Sequence, residues 1–484
     1  MHVSQQGILA FLEGLVASDP ALPLLGGGGS WLDAGTVAAI AAHIGSRLRQ
    51  IGLRPGDLTA FRPGRDVPSA LMLLGLCSAG ATAVLADPRQ PLEETLSCAE
   101  TPLPVKAKIE HCGQSSFVLT WLDSPERPSV LIDLYALPPS AGQHAPRAST
   151  APAFIIFTSG TTGKCKAAVL SESNLISNLL DSQPLGDYRA GDRALGCLPL
   201  HHVFGLVLLA GAAVLGYGVY YPEKMDADAL LAAIERQKLT RMNGVPALYL
   251  ALADACGGIG PRSLRAGFIG GGPVTAEQFA RIEESLGMTL IPVYGMSECV
   301  GISCASWQDS RAARAEGVGR FYSMNTGKIL RPDGTEAAVG EEGEIWVTGP
   351  ARMIGYYGKP LTREALFPTG DMGYLDEGGV LRLTGRRKEI VIRNGNNISL
   401  RRIEEALLRL PDVRDAAVVA LPDERQGEVP AAMIVADQRR PLAPDLRKHE
   451  IPVLYHYVEK LPLTASGKPD RQRIREVLAQ CRVS

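Results

Sequence analysis

The chain has 484 residues, more than one hydrophobic core ordinarily supports, so two or more domains are expected. Its 49 Lys and Arg against 51 Asp and Glu leave a net charge of −2, which excludes a whole-molecule attraction to nucleic acid or anionic membrane, so any anion site must be local. The 9 cysteines lack metal or disulfide-framework spacing and read as free thiols of a reducing compartment.

In chain order, Met1-His2-Val3-Ser4-Gln5-Gln6 carries no basic leader, and a cytoplasmic location is expected. Gly26, Gly27, Gly28 and Gly29 read as a mobile loop. Val37, Ile40, Ala41, Ile44 and Leu48 fall on one helical face that Gly52 and Pro55-Gly56 close. A helix over 67–79 leads into a strand at 82–86. The alternation continues with helices near 174–180, 227–237, from 246 and at 275–286, and strands at 194–198, 239–243, 266–269 and 288–293. The apolar stretch 203–219 reads as a buried helix and strand rather than a membrane span. Such alternation predicts a layered α/β domain with ligand loops at strand ends. After residue 329 the texture turns β-rich, with short strands at 344–347 and 380–383. A charged joint, Gly385-Arg386-Arg387-Lys388-Glu389, precedes a small α+β unit: a strand, a helix over 400–410, strands at 416–420 and 431–435, and a basic tail. The domain division is placed there: 1–385 and 386–484.

The chemistry concentrates in a few stretches. Ala153-Phe154-Ile155-Ile156-Phe157 reads as a buried strand. Thr158-Ser159-Gly160-Thr161-Thr162-Gly163-Lys164-Cys165-Lys166 follows it directly. Glycines admit close approach of backbone N–H groups to an anion, hydroxyls add donors and lysine adds charge, a combination suited to a polyphosphate. It is not a Walker A loop, which needs four residues between its glycines and Ser or Thr after Lys; a flexible surface turn is the alternative. Tyr294-Gly295-Met296-Ser297-Glu298 places an aromatic, a hydroxyl and a carboxylate at a strand end, able to stack on a base, bond a phosphate and hold Mg²⁺. Thr369-Gly370-Asp371-Met372-Gly373 puts an acid in a glycine turn, and Leu463-Thr464-Ala465-Ser466-Gly467-Lys468 carries a lysine near the C-terminus. Taken singly, Tyr294 could be a core-edge aromatic, Glu298 a helix N-terminal acid, Asp371 a turn acid and Lys468 a solvated charge.

Together, in this order and with Pro199-Leu200-His201-His202-Val203-Phe204-Gly205, Gly270-Gly271-Gly272-Pro273 and 385–395, they resemble the acyl-adenylate-forming (AMP-binding) superfamily, above all its acyl- and aryl-CoA ligases, over nearly the whole chain. The resemblance implies that MgATP activates a carboxylic acid to acyl-AMP with release of pyrophosphate, and that the acyl group then passes to a thiol, with coenzyme A as the default acceptor. It implies an ATP-phosphate cradle of Thr158, Ser159, Gly160, Thr161, Thr162, Gly163 and Lys166. Ser297 would meet the α-phosphate and Glu298 the Mg²⁺. Tyr294 with the Gly271–Gly272 backbone would sandwich adenine, Pro273, Gly295 and Met296 would belong to the same ATP/AMP site, and Asp371 with Arg386 would hold the ribose. Lys468 would stabilise charge as the adenylate forms, and Lys468, Ser297, His202 and Lys166 are the catalytic candidates. The small domain would rotate about Lys388, bringing either Lys468 or the loop near Gly395 to the site.

His202, Val203, Phe204, Val245, Phe268, Gly270, Val293 and Met296 are the acyl-pocket candidates, and their character favours an aryl or apolar acid. No aspartate for an ammonium and no Lys or Arg lies between 199 and 211, which disfavours amino acids and, more weakly, dicarboxylates. A carrier-protein phosphopantetheine or an amine is the alternative acceptor, and a non-catalytic ATP-binding protein the alternative of another class. Against the family pattern, Cys165 replaces a usual proline, Ala167 a glycine and Leu400 a proline, and the segments before Asp371 and around 437–452 are short.

Overall fold

The computed structural model describes residues 6–134, 144–145, 147–158, 165–258, 260–359, 365–387, 390–393, 396–423, 426–438, 444–463 and 469–483. Pro152–Thr158 is an interior strand of an eight-stranded sheet. Phe154 and Ile156 enter one core while Ile155 enters another with Ala60, Val84 and Val169. A strand covered on both faces loses polar–apolar alternation, hence the unbroken apolar run. Thr82–Leu85 lies parallel on one side, with Leu58–Phe61 beyond it, and Lys166–Ser171 lies antiparallel on the other.

A nine-stranded sheet stands opposite. Gly218–Tyr221, Arg193–Leu195, Arg241–Met242, Ala266–Ile269 and Thr289–Met296 run parallel through its middle. Helices Ala34–Gln50, Val67–Ala79, Glu172–Ser182 and Val203–Leu215 share one continuous core with residues of both sheets, such as Leu25 and Val219 from one and Phe61 and Leu85 from the other. Val67–Ala79 is buried almost throughout, as a helix between two sheets must be. A four-stranded antiparallel sheet, including Gly343–Thr348, Phe367–Leu375 and Leu381–Arg386, completes the large domain.

The small C-terminal domain is a sheet covered on both faces. Along Val413–Asp423, Ala416, Val418 and Ala420 face the helix Leu400–Leu408, while Ala417, Val419 and Leu421 face the helix Arg471–Val483. The period of two in a strand sends alternate residues to opposite helices.

The structure departs from the sequence expectations in two elements. The glycine patch at 26–29 belongs to a hairpin in which Pro23–Gly27 pairs with Ser30–Asp33. Gly28 (φ +57°) and Gly29 (φ +84°) make the turn, both at the positive φ that a twist-matched two-residue turn requires. The basic tail is a helix: Asp470 accepts the Arg473 amide, and Ile474 and Leu478, one turn apart, are fully buried. Among the described residues no helix is long and apolar enough to cross a membrane.

Candidate active site

The candidate site forms where the three sheets of the large domain meet. Thr289–Met296 ends in a bulged turn, with Tyr294 opposite Ser303 and Met296 opposite Cys299. Gly295 permits it, since a Cβ there would lie 2.4 Å from the Val300 carbonyl oxygen. Tyr294 is buried in a cluster with Ile302, Ile345 and Leu381, and its hydroxyl donates to Asp371 Oδ2 at 2.6 Å. Asp371 sits directly opposite Arg386 on neighbouring antiparallel strands, and Arg386 Nε donates to Asp371 Oδ1 at 2.9 Å. One buried carboxylate thus gathers an aromatic from the nine-stranded sheet and a cation from the four-stranded sheet. The segment expected as a glycine turn is instead part of the strand Phe367–Leu375, paired on both sides, and Thr369 braces it: its hydroxyl donates to the Ile345 carbonyl at 2.8 Å and accepts the Asp371 amide at 3.1 Å. Burial, and then the Asp371 charge, hold the Tyr294 phenol well above its ordinary pKa; it stays a donor.

Glu298 forms the second node. It is buried; its Oε1 accepts the Tyr356 hydroxyl at 2.6 Å, and its backbone carbonyl accepts the Met353 amide at 2.8 Å. Tyr356 belongs to the edge strand Gly355–Tyr356 beside Lys166–Ser171, and the Lys166 ammonium lies 4.9 Å from its ring centroid, within cation–π range. Lys166, Tyr356 and Glu298 therefore form a chain from the end of the hydroxyl-rich loop to the acid after Ser297. Burial, with the Glu298 charge second, pushes the Tyr356 phenol up. Among the described residues no group of three or more His, Cys, Asp or Glu is placed to hold a metal. A single carboxylate with an open oxygen fits Mg²⁺, which takes few protein ligands and completes its shell with phosphate oxygens and water.

Gly271, Gly272 and Pro273 are exposed just beyond Ala266–Ile269, and Gly270 packs against Val293, whose carbonyl oxygen would lie 2.8 Å from a Cβ there. Ser297 and Met296 are half-buried in the turn. Of the acyl-pocket candidates, Phe268 is buried with Ile291, Cys304 and Tyr322, and Val293 and Phe204 pack on that same cluster. His202 precedes the helix Val203–Leu215 as its N-cap residue, and Val245 does the same for Pro246–Ala255; Val245 lies outside the Phe268 cluster. Ser159, Gly160, Thr161, Thr162, Gly163, Lys388, Gly395 and Lys468 lie outside the described residues.

Two features carry no local sequence signal. Tyr356 reaches Glu298 across 58 residues of chain. His201, the neighbour of His202, is 8% exposed and neither ring nitrogen has a hydrogen-bond partner among the described residues. Asp87 Oδ2 is 3.8 Å from its Nε2 and is held in turn by Arg89 at 2.9 and 3.0 Å. Burial, then His202, push His201 down to about 3, so the imidazole is neutral near pH 7. A groove of about 510 Å³, lined in part by Pro55, Asp57, Thr82 and Pro152, opens at the starts of the parallel strands. The candidate motifs leave from their ends, so the groove is separate from this chemistry although Tyr356 reaches it.

Comparison with known proteins adds independent evidence. The family description "AMP-binding enzyme" matches residues 15–357, and "AMP-binding enzyme C-terminal domain" matches residues 402–468. The chain is 30% identical over 475 residues, 92% of each chain, to the sulfoacetate–CoA ligase of Cupriavidus necator. It is 33% identical over 387 residues to the indoleacetate–CoA ligase of Aromatoleum aromaticum, covering 75% of this chain and 74% of that one. ATP-bound MatB from Rhodopseudomonas palustris superposes with a TM-score of 0.83 at 23% identity, over 98% of this chain and 99% of that one.

Proposed function

The chain belongs to the AMP-binding enzyme family, and on that footing we propose how its residues divide the work of an AMP-forming acid–CoA ligase. Such an enzyme joins a carboxylate to the α-phosphate of ATP, releases pyrophosphate, and passes the acyl group to the thiol of coenzyme A. ATP, Mg²⁺ and coenzyme A are its small-molecule requirements. The first half-reaction brings anions together, so positioning and charge neutralisation dominate over proton transfer.

In this reading Asp371 receives the ribose hydroxyls. Each of its oxygens accepts one bond from the protein, from Tyr294 and from Arg386, and keeps acceptor capacity for a ligand. That doubly held carboxylate, joining Tyr294, 77 residues away, to the paired strands that carry Asp371 and Arg386, is the observation that carries the proposal. The Tyr294 region and Gly271–Gly272 flank adenine. Thr158, the 159–163 segment and Lys166 neutralise the β- and γ-phosphates, and Ser297 meets the α-phosphate. Glu298 holds Mg²⁺, which supplies charge neutralisation at the phosphates when bound. Lys468 meets the carboxylate and α-phosphate where charge develops. The small domain, which follows the strand Leu381–Arg386, pivots at Lys388 to exchange Lys468 for the Gly395 side during thiol transfer.

The acid is aryl or apolar. Phe204, Phe268 and Val293 form a shared apolar cluster, and the neutral His201 beside His202 adds no charge there. Pyrophosphate release from MgATP, across a panel of aryl, short- and medium-chain acyl and amino acids with and without coenzyme A, tests the proposal. Acid-dependent release that turns over repeatedly only with coenzyme A, most strongly for aryl or apolar acids, is expected. A single burst indifferent to coenzyme A would overturn the thiol acceptor in favour of a carrier protein or an amine.

A further inference from the structure

Two free cysteines meet at the end of the hydroxyl-rich loop. The Cys165 amide donates to the Cys98 carbonyl at 2.7 Å, and the Glu100 amide donates to the Cys165 carbonyl at 3.0 Å, a parallel bridge centred on Ala99 and Cys165. Cys98 is the C-cap of the short helix Leu92–Ser97, with φ −72° and ψ −15°. That helical conformation, rather than an extended one, brings residue 98 round to residue 165 although the bridge pairs residue 99. Both residues are half-buried and neither is in a disulfide. The Cys98 thiol donates to the Thr95 carbonyl at 3.1 Å. Burial, and after it the contact with the Cys98 thiol, push the Cys165 thiol up to about 12. The two side chains are therefore in contact, beside backbones that hydrogen bonds already hold in register.

We propose that Cys98 and Cys165 form a redox-modification site, closing to a disulfide that fixes the end of the 158–166 loop to the 92–97 helix. Disulfide formation needs an S–S distance of about 2.05 Å and Cα atoms about 4.4–6.8 Å apart, a separation within reach of residues flanking one β-bridge. The oxidant is a peroxide. The Cys98 thiolate attacks one peroxide oxygen, the O–O bond breaks, and the departing hydroxide takes up the proton that the Cys98 thiol released, leaving a sulfenic acid and water. The Cys165 sulfur then displaces the sulfenic hydroxyl, its proton leaving with that hydroxyl as a second water. Two thiols thus lose two electrons and two protons while one peroxide becomes two waters. Cys165 is held protonated by its surroundings, so Cys98 is the attacking thiol and Cys165 the resolving one.

The consequence for activity rests on the assignment of 158–166 to the ATP phosphates. Lys166 directly follows Cys165, and its ammonium lies over the Tyr356 ring. Drawing the Cys165 sulfur onto Cys98 shifts the backbone at 165 and with it the lysine, so the closed disulfide weakens ATP binding and suppresses adenylate formation.

The full-length enzyme is treated with hydrogen peroxide, digested without reduction and mapped by mass spectrometry, with ATP affinity and pyrophosphate release measured in parallel. Expected are a linked Cys98–Cys165 peptide pair, loss of both ATP binding and pyrophosphate release, and recovery of both with dithiothreitol. Cys98→Ser, which leaves the untreated enzyme as active as wild type, keeps its activity after peroxide. Absence of the linked pair, or equal loss of activity in Cys98→Ser, would overturn the proposed site. A linked pair with undiminished ATP affinity would instead overturn the assignment of the loop to ATP.

Discussion

On the proposed nucleotide side, each key carboxylate is fixed by directed hydrogen bonds: Asp371 by Tyr294 and Arg386, and Glu298 by Tyr356. On the proposed acyl side, Phe204, Phe268 and Val293 are fixed by packing, and the buried His201 has no hydrogen bond at either ring nitrogen among the described residues. The first construction fixes individual atoms and suits a constant ligand, ATP. The second fixes a shape and suits an acid that differs from enzyme to enzyme. Changes on the nucleotide side should therefore depress all acids together, and changes on the acyl side should re-rank them.

The largest effect is expected at Lys468. Lys468→Ala should lower acyl-AMP formation by about 10²–10³-fold, the scale of losing one donor to a developing charge, while sparing thioester formation from supplied acyl-AMP. Equal loss in both half-reactions would remove Lys468 from its adenylation role. Asp371→Asn withdraws the charge that both partners bond and should cost about 1.5–3 kcal/mol, or roughly 10–100-fold in kcat/KM for ATP. That loss should be the same for every acid; a changed acid ranking would break the division between the two sides.

Phe204→Ala should act the other way, shifting preference between large and small acids by about 1–3 kcal/mol with the KM for ATP unchanged. Tyr356→Phe removes one hydrogen bond to Glu298 and should cost about 0.5–1.5 kcal/mol, read as a higher Mg²⁺ requirement; an unchanged Mg²⁺ titration would separate Tyr356 from the metal-binding role. The smallest expected effect is on stability. His201 in the folded chain is depressed to about 3 from an ordinary 6.5, so below 6.5 the unfolded state binds the extra proton. Stability is then full above pH 6.5 and falls as pH drops toward 3. His201→Phe should flatten that acid limb in a Tm-against-pH series, and an unchanged slope would contradict the neutral buried imidazole.

Local signals made much of the fold legible. The helices at 67–79 and 227–237 and the strand at 266–269 stand where apolar periodicity and flanking breakers put them. The 26–29 hairpin was hidden because a glycine run reads equally as turn or flexible loop; what decides it is contact with distant residues, since a Cβ at Gly26 would lie 2.7 Å from the Tyr220 ring. The helical tail was masked by its charge, with Ile474, Val477 and Leu478 marking the face that packs on the small sheet. The motifs bearing Tyr294, Glu298 and Asp371 were each visible, but the bond from Tyr294 to Asp371 spans 77 residues. No local pattern encodes such a pairing. Tyr356 and the Asp87–His201 pair escaped for the same reason, being fixed by sheet edges and loop ends that meet only in three dimensions.

Adenylation and thiol transfer are ordered steps in an AMP-forming ligase, and their order can be read in a single turnover. Quenching a single turnover of wild-type enzyme with MgATP, the best acid from the panel and coenzyme A, and quantifying every nucleotide and acyl product over time, tests that order most directly. Acyl-AMP and pyrophosphate are expected to rise together, and acyl-AMP then to fall as acyl-CoA and AMP appear. Formation of ADP and inorganic phosphate, or of acyl-CoA with no preceding acyl-AMP, would contradict that sequence of steps.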